Sequence, residues 1–139
     1  MRRVFIDTNV FIDFLARRGD FYPPAATIVS LALNRKIDLC VSALSFATGS
    51  YLMEKHYGMS PQEIVADYVK FITLSHVTRL DAKTVRQSVA STFLDFEDAM
   101  QHYSALNQSA DVIVTRNKDD FSASVIPVMT PQEFLDSLR

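Results

Sequence analysis

Three short stretches carry the residue types that could do chemistry. Asp7-Thr8-Asn9 follows the apolar run Val4-Phe5-Ile6, and Asp95-Phe96-Glu97-Asp98 opens a run with helical spacing. Thr115-Arg116-Asn117-Lys118-Asp119-Asp120 follows the apolar run Val112-Ile113-Val114. Carboxylates with an amide and hydroxyls, and no convergent His or Cys, form a hard donor set that suits Mg²⁺ or Mn²⁺ rather than Zn²⁺. Mg²⁺ held by few carboxylates keeps waters and recruits phosphate oxygens, so the expected chemistry is metal-assisted phosphodiester hydrolysis. Asp95 and Asp98, three positions apart, share a helix face, whereas Glu97 is expected to point elsewhere. Arg116 and Lys118 flank the proposed site and could hold phosphates.

Each of these residues also has a plainer reading. Asp7 can cap the helix that follows it, and Asp95 with Asp98 can be an N-cap and its third-position acid. Asn117 can be an ordinary turn residue, and Glu97 and Asp120 plain solvated charges. What separates the two readings is whether the elements around these residues bring them together.

Short apolar runs at Arg3–Ile6, Ile37–Val41 and Asp111–Thr115 read as strands, with a shorter one at His76–Leu80 and an edge strand at Val125–Val128. Between them lie helical patterns. One runs from Asp7 toward Gly19, its expected C-cap, and one covers Ala25 to Asn34 after a Phe21–Pro24 loop. Another runs from Ser42 to about His56, before Gly58. Ser60-Pro61-Gln62-Glu63 and Thr130-Pro131-Gln132-Glu133 are capping boxes with proline at the first helical position. The helix after Ser60 is expected to present Ile64, Val65, Tyr68, Val69 and Ile72 on one side. Asp81 opens a helix through Val85 and Val89, and the one after Asp95 continues through Met100, Tyr103 and Leu106.

Strands alternating with helices make one α/β domain over residues 1–139, a parallel sheet covered on both faces. In such a sheet the carboxyl ends of the strands share one edge, where ligands bind at the switch point of strand order. Asp7 and Thr115 end strands there. A crossover helix runs antiparallel to its strands, so the Asp95–Asp98 end returns to the same edge.

The totals are consistent with this. A chain of 139 residues with 48% hydrophobic and 22% charged content can bury a core without disulfides. The single cysteine, Cys40, excludes a disulfide within the chain and a Cys-based metal site, which fits a reducing cytosol. No signal-peptide pattern is visible, and no apolar window approaches the ~18 residues of a membrane span, so the expected location is cytoplasmic. The net charge of −2 gives no global attraction to a polyanion, which leaves that task to local basic residues or bound cations.

Asp7-Thr8-Asn9, Asp95-Phe-Glu-Asp-Ala-Met-Gln101 and Asp111-Val-Ile-Val-Thr-Arg-Asn-Lys-Asp-Asp-Phe121 together resemble a PIN domain, in the right order and across essentially the whole chain. PIN domains include the VapC-type toxin ribonucleases of bacterial toxin–antitoxin pairs. The resemblance implies a three-layer α/β/α sandwich with a central parallel sheet of about five strands. It also implies a Mg²⁺- or Mn²⁺-dependent endoribonuclease for single-stranded RNA, with an antitoxin protein and a second copy of the chain as partners. The apolar helices from Ala25 to Val69 would be the self-association surface. By position, Asp7 and Asp98 match catalytic, metal-holding acids, with Asn117 and Asp95 as further ligands. Thr8, Asn9, Thr115 and Asp120 would support the site, and Arg116 and Lys118 would bind substrate.

Two positions depart from the pattern. The helix after the second strand usually offers a glutamate, but Ser42 to Ser50 contains no acid, and the residue after Thr115-Arg116, commonly aspartate, is Asn117. Either Asp95 or Asp120 compensates, or the domain binds RNA or a protein partner without cutting. A phospho-aspartate at Asp7, as in haloacid-dehalogenase phosphatases, fits less well, because those resemble Asp-x-Asp and Asn9 stands at the second place.

Overall fold

The structure, a computed structural model, describes all residues from Met1 to Arg139. Strands β1 (Arg3–Ile6), β2 (Asp38–Ser42), β3 (His76–Thr78), β4 (Val112–Val114) and β5 (Val128–Met129) form one sheet. Its order is β3-β2-β1-β4-β5, with every neighbouring pair parallel. The helices are α1 (Thr8–Leu15), α2 (Tyr22–Leu33), α3 (Ala43–Tyr57), α4 (Pro61–Phe71), α5 (Ala82–Val89), α6 (Phe96–Asn107) and α7 (Pro131–Asp136). The chain winds outward from β1 through β2 to β3, crosses back to β4, and continues to β5. The switch point is the β1/β4 pair, the place the sequence indicated for the acids.

Side chains alternate across each strand, and that alternation builds two cores. Val4, Ile6, Leu39, Val41, Val112 and Val114 face a large cluster with Val10, Phe11, Ile28, Phe71 and Phe134 from α1, α2, α4 and α7. Phe5, Cys40 and Ile113 face the other way, against Ala105 of α6 with Phe121 and Ile126. The result is the expected three-layer α/β/α sandwich. No helix is long and apolar enough to cross a membrane.

Local signals explain most element ends. The Ser42 hydroxyl accepts from Leu44 N–H, and both capping boxes form around Ser60 and Thr130. Gly58, at φ 62°, stops α3 in the left-handed region glycine tolerates.

Several expectations shift. Helix α1 ends at Leu15, and Arg17 makes the first left-handed turn after it, at φ 53°; Gly19, also left-handed at φ 47°, opens a single 3₁₀ turn. Tyr22, expected in a loop, already starts α2, with both prolines in its first turn, where their missing N–H groups cost nothing. β3 stops at Thr78 rather than Leu80, since Thr78 is its last residue paired with β2. β5 lies at Val128–Met129 rather than Val125–Val128. Pro127 contributes only its carbonyl, which accepts from Ile113 N–H.

Helix α4 buries only part of the apolar side expected of it, and α5 buries polar residues. α4 buries Ile64 and Phe71 with Tyr68 half-buried, and leaves Val65, Val69 and Ile72 exposed. The two sets have identical spacing, rotated by one residue. α5 turns Thr84 and Ser88 inward while Val85 and Val89 face out. The Thr84 and Ser88 hydroxyls are satisfied locally, by Asp81 and by the Thr84 carbonyl, which removes the penalty for burying them.

Candidate functional site

β1 delivers Asp7 to the switch point and α1 begins at once. Asp7 is therefore both the N-cap of α1 and the floor of a cleft; one of its carboxylate oxygens accepts from Thr8 N–H at 2.8 Å. The other accepts from the Thr115 hydroxyl at 2.9 Å and from the Asn9 amide at 3.3 Å. Asn9 also donates to Thr115 Oγ1 and accepts from Arg116 N–H, and Asn117 N–H donates to Thr115 Oγ1. Thr115, Asn9 and the β4 turn thus hold Asp7 in one orientation. Asp7 thus caps α1 while also lining the cleft.

The cleft above Asp7 has a volume of about 380 Å³ and is lined by five carboxylates: Asp7, Asp95, Glu97, Asp98 and Asp120. Asp7 is only 7% exposed, and burial pushes its carboxyl up to about 6, with Glu97 and Asp120 adding to the rise against the opposing bonds from Thr8 and Thr115. Asp98 is pushed up to about 7 by burial, then by Asp7, Asp95, Asp120 and Glu97 in turn. Carboxylates that raise one another in this way share a space short of positive charge.

The N-terminal turn of α6 brings three of the acids. Asp95 is its N-cap, accepting from Asp98 N–H at 2.9 Å while lining the cleft. Glu97 corrects the expectation that it points elsewhere. It lines the same cleft, and its Oε1 accepts from the Thr48 hydroxyl of α3 at 3.0 Å. The stretch of α3 that lacks an acid therefore meets one supplied by α6. Deeper in, Gln101 is fully buried and donates from Nε2 to Thr8 Oγ1 and Ser45 Oγ; those hydroxyls lie 2.8 Å apart, and Gln101 Oε1 has no partner.

The basic residues divide. Arg116 lines the cleft, while Lys118 lies in the adjoining depression and pairs with Glu133 at 3.1 Å. Asp13, buried on α1, receives Arg18 Nε at 2.6 Å and Arg116 Nε at 2.7 Å. Arg18 also donates to the Asn9 carbonyl and the Tyr57 hydroxyl. Both cations at the cleft are thus anchored by one carboxylate outside it. Sequence reasoning passed over Asp13, Thr48, Ser45 and Gln101. A signal existed for Asp13, one acid among Val10, Phe11, Ile12 and Phe14 at i+4 from Asn9. Gln101 was likewise visible at i+3 from Asp98.

The donor set fits a hard divalent cation: oxygens only, several acids in one cleft, and carboxyls raised by one another. No three His, Cys, Asp or Glu side chains are drawn together tightly enough to form a ready-made metal cluster. A closed protein cage for the ion is therefore not formed by these side chains. Asp7 and Asp98, one from each side of the chain's length, both line that cleft.

A family profile described as "PIN domain" matches residues 3–119. Ribonuclease VapC1 of Aquifex aeolicus (strain VF5) is 22% identical over 139 residues, which span 96% of this chain and 94% of that protein. Among solved structures, VapBC2 from Rickettsia felis bound to a promoter DNA fragment superposes with a TM-score of 0.67 at 16% identity, covering 91% of this chain and 96% of that one. Mycobacterium tuberculosis VapC20, a sarcin–ricin loop cleaving toxin, gives 0.62 at 15% identity over 79% of this chain and 86% of that one. At those identities the two structures establish the fold.

Proposed function

The chain belongs to the PIN domain family, and on that premise we propose that it is a Mg²⁺- or Mn²⁺-dependent endoribonuclease that cleaves single-stranded RNA. The observation that carries the reading is the shared cleft of Asp7 and Asp98. They come from the end of β1 and from α6, far apart in sequence, and the Asp7 carboxylate helps raise that of Asp98.

Asp7 and Asp98 would hold a divalent cation there, which would supply a lowered pKa for an attacking water and positive charge against the phosphate. The chain's own residues do the rest. Thr115, Asn9 and Thr8 N–H fix the Asp7 oxygens, so the carboxylate is oriented before substrate arrives. Asp98 and Asn117 line the same cleft and would supply a second carboxylate and an amide to the ion. Asp95 sets the α6 terminus and adds negative charge, as do Glu97 and Asp120. Arg116, held in place by Asp13, supplies a fixed positive group for a phosphate. Lys118 contributes at longer range from its depression.

By analogy with VapC1 and the VapBC2 complex, we assign the chain to the toxin side of a type II toxin–antitoxin pair, acting in the cytoplasm with a small antitoxin protein. The exposed stripe Val65, Val69 and Ile72 on α4 supports self-association through the helices from Ala25 to Val69.

The test is incubation of the protein with single-stranded RNA and Mn²⁺ beside Asp7→Asn and Asp98→Asn. Cleavage by the unsubstituted chain alone is expected; unchanged cleavage by both variants would refute the assignment. A second reading, RNA or partner binding without catalysis, is favoured by the absence of a tight acid cluster and by Thr48 on the α3 wall. Calorimetry with Mn²⁺ discriminates, since that reading expects no metal binding.

A further inference from the structure

Phe21 is an exposed aromatic with an unusual position. It is 49% exposed, packs on no other aromatic ring, and lies under the Arg116 guanidinium, 3.8 Å from the ring centroid. Around the pair runs a groove of about 420 Å³ completed by Pro24, Thr130, Pro131 and Gln132. Arg116 belongs to this groove and to the acidic cleft alike, and a third depression, at Asn117 and Lys118, shares Arg116 and Thr130 with the groove. The three depressions adjoin at Arg116, which separates the cleft of Asp7 and Asp98 from the groove at Phe21.

Arg116 makes the junction rigid. Its Nε and Nη2 are committed to Asp13, which leaves Nη1 without a partner at the border between cleft and groove. A strand whose phosphate sits over the acids must place its next nucleotide along these depressions. What it meets is a cation for the phosphate and then the stacked Arg116–Phe21 pair, whose ring is half exposed and is bounded by two prolines. Every base has a face that stacks on an aromatic ring or a guanidinium plane, while a duplex keeps those faces occupied.

We infer that the Phe21–Arg116 groove is a nucleobase subsite, taking by stacking one base of single-stranded RNA beside the phosphate held in the cleft. The inference rests on the RNA reading above, although not on cleavage. Binding is therefore measured in the Asp98→Asn background, where the RNA stays whole, by fluorescence anisotropy with a labelled single-stranded oligoribonucleotide. Phe21→Ala and Phe21→Leu should each weaken binding on the order of tenfold or more, and Phe21→Trp should retain it. Phe21→Leu keeps apolar bulk, so an unchanged melting midpoint separates lost stacking from lost folding. Abasic substitutions scanned along the oligonucleotide should find one position whose loss equals that of Phe21→Leu, with no further loss when the two are combined.

Binding by both variants equal to that of the Phe21 protein, or losses that add at every abasic position, would overturn the subsite while leaving the nuclease assignment standing. Failure of the unsubstituted chain and of the Asp98→Asn chain alike to bind RNA would overturn both. Phe21 variants that lose a protein partner yet keep RNA would assign the groove to protein docking and also overturn it.

Discussion

Without a bound cation the cleft is a source of instability whose size depends on pH. The Asp7 carboxyl sits at about 6 in the folded chain against an ordinary 3.8, chiefly because it is buried. The folded state therefore holds that proton more tightly than the unfolded chain does. The stability it confers is complete below about pH 4 and is lost as pH rises through 6, a total of about 3 kcal/mol. Asp98, raised to about 7, extends the loss to neutrality with the same sign. Asp7→Asn removes the charge but leaves one acceptor where two now serve Thr8, Thr115 and Asn9, a loss of about 1 kcal/mol. The variant should then be about 2 kcal/mol more stable than the unsubstituted chain at pH 8 in EDTA, a rise of about 6 °C in melting midpoint. At pH 4 the advantage should vanish or reverse. Thermal and urea denaturation of both proteins across that range, followed by circular dichroism, measures it. An Asp7→Asn chain no more stable than the parent at pH 8, or an advantage that does not shrink on acidification, would refute the electrostatic account of the cleft.

Three further outcomes are expected. Asp13→Ala leaves two guanidinium groups without their shared buried carboxylate and should cost about 3–5 kcal/mol in urea denaturation. Glu97→Gln keeps an acceptor for Thr48 but removes a charge felt by Asp7 and Asp98. Calorimetry should show severalfold weaker Mn²⁺ binding, and the Asp98 carboxyl should titrate lower by NMR. Gly49→Ala places a Cβ 3.2 Å from the Tyr68 hydroxyl and 3.3 Å from the Phe11 ring, so a lower melting midpoint is expected despite the gain in helix propensity, by about 1 kcal/mol net.

Asp7 was legible because a strand end and a helix start are adjacent in the chain, and strand alternation with helices implied the sheet edge. Asp98 was legible for a similar reason, since crossover helices run antiparallel to their strands. The buried stripe of α4 was not, because residues 64, 68 and 71 and residues 65, 69 and 72 satisfy the same spacing, and only the neighbouring helices choose between them. Glu97 was misplaced by treating one turn as a narrow face, when the whole N-terminal turn of α6 overhangs the cleft. The pairing of Arg116 with Asp13 joins residues more than a hundred positions apart, and no local pattern announces such a contact.

The hydrogen bond from Thr115 to Asp7 joins positions 108 residues apart, and β1 finds one of its two flanking strands only when β4 arrives. Closing so long a loop comes late in folding. During synthesis the first seven residues wait for nearly the whole chain, so the growing polypeptide cannot assemble its acidic centre while residues through Thr115 are still in the ribosomal tunnel. The topology thus keeps the acidic centre unformed until β4 has been made and has paired with β1. A circular permutant that places β4 next to β1 in sequence would remove the delay, and its yield on translation is where that difference would be felt.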